Sequence, residues 1–160
     1  MPGLTIRPTV AVQATPDYSD GDSIGPLLNL GNVARQIGGT GIITRLQLRS
    51  AINITVQVFA HIFDSNPSAS TFTDNAAMVV NAADKSKILK TIAIAAADWV
   101  APKGVNPWYT VELVGTGATL PYLYYDVVAG RSLYVALEAD GTINFGATDD
   151  LSMILSAENN

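Results

Sequence analysis

The chain has 160 residues, with nine Lys and Arg against fourteen Asp and Glu, one His and no Cys. Without cysteine there are no disulfides, thiolate metal sites or cysteine nucleophiles, and a single histidine, His61, excludes a multi-histidine metal cluster. A net charge of −5 has the wrong sign for gripping phosphate backbones or anionic lipid, so neither nucleic acid nor a membrane is expected as a partner.

From the N-terminus, Leu4 to Gln13 alternates weakly as a strand, and Pro8 confines it to a sheet edge or an extended arm over residues 1–16, because proline donates nothing to a ladder. Leu27 to Leu30 is a second short strand. Ile42 to Arg49 alternates cleanly, with Ile42, Thr44, Leu46 and Leu48 on one face. Ile54 to Phe63 does the same, setting Val56, Val58, Ala60 and Ile62 opposite Phe59, His61 and Phe63. Ala82 to Lys87 is the only stretch that reads as a helix, a short one with Asn81 as N-cap. Further strands are predicted over Ile88 to Ala95, Trp108 to Val114, Leu120 to Tyr125, Leu133 to Ala139 and Leu151 to Ser156. Turn clusters rich in Asp, Asn, Gly, Ser and Pro separate them. With about nine strands and no strand–helix–strand alternation, the expected fold is all-β: one antiparallel β-sandwich domain, jelly-roll-like, with at most one short helix.

Only 14% of residues are charged, against about 25% in an ordinary soluble domain, while 48% are hydrophobic. No run approaches the roughly 20 apolar residues of a spanning helix. The start, Met1 to Pro8, has no apolar segment after a basic one, so no secretory leader is expected and folding in a cytoplasm is. The missing charge leaves two readings, a surface of small neutral polar side chains or one partly covered by other chains, and the second is favoured.

Chemistry-bearing motifs are few. Gly38-Gly39-Thr40-Gly41 and Gly115-Thr116-Gly117 lack the following helix that a phosphate loop needs, and read as turns. His61 shares a face with Phe59 and Phe63 and no Gly-x-Ser-x-Gly elbow supplies it a nucleophile, so it reads as part of an aromatic cluster or interface. The carboxylates Asp17, Asp20 and Asp22, and Asp64 with Asn66 and Asp74, match no calcium-loop spacing and read as turn-capping groups. No cofactor or metal is expected and no catalytic residue is assigned. Tyr and Trp crowd the second half, and Tyr122, Tyr124 and Tyr125 put large side chains on both faces of one segment. The expected protein interface is therefore Trp108, Tyr122, Tyr124 and Tyr125, with Leu4, Ile6 and Val10 of the N-terminal arm lying on a neighbour.

Three stretches carry a family likeness. These are Asp20-Gly21-Asp22-Ser23-Ile24-Gly25 followed by Leu27-Leu28-Asn29-Leu30; Gly38-Gly39-Thr40-Gly41-Ile42-Ile43; and Phe63-Asp64-Ser65-Asn66-Pro67-Ser68-Ala69-Ser70-Thr71-Phe72-Thr73-Asp74-Asn75-Ala76. Over about residues 18–76 the chain resembles small virion structural proteins of tailed bacteriophages. Such proteins share an early GD-x-IG turn and an FD-x-NPS-x-(S/T)TFTDN loop. The resemblance implies a non-enzymatic capsid decoration (cement) protein, or another head or tail component, carried in the virion. Its partners would be the major capsid protein and further copies of itself, a homotrimer being the expected closed assembly. Two other readings stand beside it: a tail- or fibre-associated glycan-binding sandwich using Trp99, Trp108 and the tyrosines as platforms, and a hydrolase with a carboxylate pair such as Asp126 and Asp149.

Overall fold

The computed structural model describes residues 3–101, 103, 108–114, 123–127 and 130–159. Nine strands run in chain order: β1 (Gly3–Ile6), β2 (Leu28–Leu30), β3 (Thr40–Ser50), β4 (Gln57–Phe63), β5 (Ile88–Ile94), β6 (Tyr109–Val114), β7 (Leu123–Asp126), β8 (Leu133–Asp140) and β9 (Leu151–Asn159). One sheet has the order β1-β9-β3-β6 with β7 also on β3, the other β2-β8-β4-β5. All of these pairs are antiparallel. β6 covers Arg45 to Ser50 of β3 and β7 covers Thr40 to Ile43, so the two lie end to end in one lane. Counted as lanes, the sheets are 1-8-3-6 and 2-7-4-5, the strand order of a jelly roll. The expected all-β sandwich is the observed fold.

Alternation builds the core between the sheets. β8 buries Leu133, Val135, Leu137 and Ala139, and β9 buries Leu151, Met153, Leu155 and Ala157. On β3 the simple parity fails: the register shifts between Ile43 and Arg45, so Ile43 faces inward before the shift and Leu46 and Leu48 after it. A β-bulge inserts one unpaired residue, and a one-residue slip exchanges the faces of a strand. The buried set is thus Ile43, Leu46 and Leu48, not the predicted face that began with Ile42.

The N-terminal segment is the edge strand of its own sheet rather than an arm on a neighbour. β1 pairs with β9 from Gly3–Glu158 to Ile6–Leu155, and Thr9 continues onto Ser152. Leu4 and Ile6 pack against the core, and Val10 and Val12 belong to it at 0% and 2% exposure. Pro8 falls between the paired stretches, where its missing N–H costs nothing. The short helix is a 3₁₀ turn over Ala82–Lys87, with the Asn81 side chain accepting from Ala83 N at 3.0 Å. A second one, Ala96–Asp98, was not expected; its end is held by Asp98 Oδ2 accepting from Ala95 N at 2.9 Å.

Candidate functional site

The two outer faces of the sandwich differ in chemistry. On the β2-β8-β4-β5 sheet, the residues turned away from the core are Asn29; Tyr134, Ala136, Glu138 and Asp140; Gln57, Phe59 and His61; Thr91 and Ala93. At the centre His61 bridges two strands: Nε2 lies 2.7 Å from Glu138 Oε2 and Nδ1 2.9 Å from Thr91 Oγ1. Phe59 lies alongside, its ring centroid 6.2 Å from that of His61. Asp140 Oδ2 accepts from Gln57 Nε2 at 3.0 Å. Each acid on this face therefore has its own partner, and the rest is aromatic, small or neutral.

A hydroxyl, an imidazole and a carboxylate in series resemble a nucleophile relay. Here they lie on three neighbouring antiparallel strands of one sheet. The arrangement ties β5, β4 and β8 together by side chains.

The outer face of the other sheet is polar. Arg45 Nη2 meets Glu112 Oε2 at 3.1 Å and Gln47 Oε1 at 2.8 Å. Beyond it, the register places Thr9 opposite Ser152, Ser152 opposite Arg49 and Arg49 opposite Thr110, one row across four lanes. A groove of about 280 Å³ follows that row, lined among others by Arg7, Thr9, Arg49, Asp149 and Ser152. A second hollow of about 190 Å³ shares Arg49 and Ser152 and is also lined by Trp108.

The predicted site residues scatter. Trp108 is 47% exposed at the start of β6, whereas Trp99 is only 8% exposed and is no platform for a sugar. Val10 sits in the chain's own core and offers no surface to a partner. Tyr124 and Tyr125 stand on β7 opposite Ile42 and Gly41. Tyr122 lies outside the described residues. The carboxylate pair is excluded by distance: Asp126 is opposite Thr40, and Asp149 lies beside the Ser50 end, where Asp150 O accepts from Ala51 N. Ten residues of β3 separate those ends, about 33 Å at strand rise, far outside the reach of paired glycosidase carboxylates.

Of the loop carboxylates, Asp22 and Asp150 cap local turns, while Asp17 and Asp74 join segments distant in sequence. Asp22 Oδ2 accepts from Ser19 N, and Asp150 Oδ2 from Gly146 N and Ala147 N. Asp17 Oδ1 accepts from Asn144 Nδ2. Asp74 Oδ1 accepts from the hydroxyl of buried Tyr18 and from Gly25 N. Asp84, 1% exposed, was not singled out by the sequence. It accepts from Ala69 N at 2.9 Å and Ser70 Oγ at 2.7 Å, and pairs with Lys87 Nζ at 2.7 Å. The Lys87 ammonium, then the Ser70 hydroxyl, hold its carboxyl below the usual carboxylate value despite its burial. A depressed acid contributes stability above its unfolded value, near 4, and loses it as pH falls. Asp84→Asn should therefore lower the melting temperature at pH 7 by roughly 5–10 °C. It should lower it less at pH 3, where the wild type has begun to lose the same contribution. Parallel thermal melts at the two pH values check both.

No known protein-family model matches this chain, and no curated protein sequence does.

Proposed function

We propose that the chain is a structural protein of a tailed-bacteriophage virion, which decorates the capsid shell as a symmetric oligomer and docks through the outer face of the β2-β8-β4-β5 sheet. The observation that carries this reading is how few charges that face holds and that each is hydrogen-bonded within it. Its two acids hydrogen-bond to His61 and Gln57, and Phe59, Tyr134 and Ala93 are the accessible residues around them. Depletion of charge at the centre, with aromatics retained, is what distinguishes the core of a protein interface from ordinary surface. The low overall charge supports the same view, as does the resemblance over residues 18–76 to phage virion proteins. A protein that binds only the mature lattice stabilises it by mass action, without chemistry. A trimer on a three-fold position of the shell is the closed arrangement this reading favours.

The test is co-sedimentation of the purified protein with mature heads of the phage that carries its gene. Wild-type protein should sediment with the heads. Ala93→Glu, an exposed site paired with Phe59 in the ladder, should weaken this at least tenfold while leaving the melting temperature within a few degrees. Arg45→Gln, on the opposite sheet, should sediment as wild type. Wild-type protein that stays in the supernatant overturns the proposal.

A further inference from the structure

We propose that the groove on the outer face of the other sheet, where Arg49 joins Trp108 to Arg7, is a binding site for a carboxylated pyranose, the terminal acidic unit of a glycan. This is independent of the docking face above, which lies on the opposite side of the sandwich.

Four observations converge on it. Two hollows, of about 280 and 190 Å³, meet at Arg49 and Ser152. Each is below the 300–1,000 Å³ of a site for a drug-sized ligand, so the place suits one ring rather than an extended chain. Arg7 and Arg49 line it and form no ion pair among the described residues, where the ion pairs are those of Arg45, His61 and Lys87. In a chain with nine cations and a net charge of −5, two unpaired guanidiniums in one groove are a concentration of the scarcer sign. A guanidinium fork matches a carboxylate by two parallel hydrogen bonds. Trp108 stands 47% exposed, two residues before Thr110 and so on the same face as Arg49, which Thr110 opposes. An exposed indole beside a cation offers a flat apolar surface to the C–H face of a sugar ring while the arginine takes its acid group. The Thr9 and Ser152 hydroxyls, paired across β1's continuation and β9, supply donors and acceptors for ring hydroxyls. Asp149, which also lines the groove, disfavours a bare polyanion and suits a ligand with a single negative charge among hydroxyls.

The chain has two tryptophans, so its ¹⁵N-labelled spectrum has two indole N–H signals, from Trp99 and Trp108. Titration would use methyl glucuronide and a methyl sialoside, with neutral methyl glucoside and sodium acetate as comparators. The expected result is a saturating shift of the Trp108 indole and the Ser152 amide at millimolar concentration with at least one acidic sugar, and a response at least tenfold weaker to glucoside and to acetate. Whichever acidic sugar binds tells a uronate site from a sialate site. Arg49→Gln should reduce the acidic sugar to the level of the glucoside, and Trp108→Ala, read at Ser152, should abolish both. Both side chains are exposed, so the variants fold. No shift with either acidic sugar up to about 50 mM overturns the proposal. So does an equal response to acetate, or an Arg49→Gln protein that binds as wild type.

Discussion

Tyr18→Ala is expected to lower the melting temperature by roughly 10–15 °C, the consequence of about 4 kcal/mol lost from a 160-residue chain. Tyr18 is wholly buried, its ring edge-on to Phe145 at 5.5 Å, and its hydroxyl ties together segments distant in sequence. It donates to Asp74 Oδ1 and accepts from Gln13 N at 2.8 Å, while the same Asp74 oxygen receives Gly25 N at 2.7 Å. Tyr18→Phe keeps the ring and removes only the tie. It leaves the Gln13 N–H without its acceptor and Asp74 short of a donor, a loss of about 2 kcal/mol. Burial, and then the hydrogen bond to Asp74, push the Tyr18 hydroxyl well above its ordinary value. Below pH 10 both folded and unfolded chains keep the proton and this group adds no slope. Above it the unfolded chain releases the proton and the folded chain does not, so stability falls by about 1.4 kcal/mol per pH unit until the folded group titrates. Urea unfolding at pH 8 and pH 11 should show that loss in the wild type and a shallower one in Tyr18→Phe. Equal losses would mean that the hydroxyl is not held as described.

The same contacts explain which parts of this molecule were legible in its sequence. The turn at residues 20–25 and the loop at residues 63–76, two of the three stretches singled out in the sequence, are bound to one another in space. Ser23 N donates to Ala76 O, Asn75 N to Ser23 O, and Met78 N to Gly21 O. Phe63 packs edge-on against Phe72 at 5.7 Å, and Asp74 caps Gly25. Their residue types are fixed by turn geometry and by one buried aromatic pair, which is why they identify a structural motif and carry no chemistry. The strands were readable because each buries one face, and alternation reports that directly. The bulge at Ile43 to Arg45 was not, because an inserted residue leaves hydrophobic side chains in both parities and only the partner strand shows the slip. Ile42, Leu46 and Leu48 look like one face until Ala157 and Ser156 of β9 are set against Ile43 and Arg45. The paired outer face was hidden for a similar reason. His61 and Glu138 are 77 residues apart, and only the ladder of β4 with β8 brings them to 2.7 Å. Nothing local marks Asp84, which stands in a short turn beside lysines; it is buried because the loop from Asn66 to Ser70 folds over it, with Asn66 O taking Lys87 Nζ at 2.7 Å.

Gly141→Ala should cost about 3 kcal/mol, from two sources that separate experimentally. Gly141 follows the last residue of β8 with φ at +127°, where an L side chain is strained by about 1–3 kcal/mol whatever surrounds it. A Cβ there would also stand 2.8 Å from Val56 Cγ1 and 3.2 Å from Val56 Cβ, a contact that a short branched side chain cannot swing away from. The turn must reverse tightly at this point because Ile143, two residues on, is buried and paired with Tyr18. Gly21 provides the comparison: its φ is +82° and nothing lies within 4 Å of the added Cβ, so Gly21→Ala carries the backbone term alone, about 1 kcal/mol. Adding Val56→Ala to Gly141→Ala removes the 2.8 Å contact with Cγ1 but leaves the 3.2 Å approach to Cβ and the backbone strain. The double variant should therefore be more stable than the sum of the two single losses by about 1–2 kcal/mol, a coupling that urea midpoints resolve. Strict additivity would place the whole cost in the backbone and remove Val56 from the account.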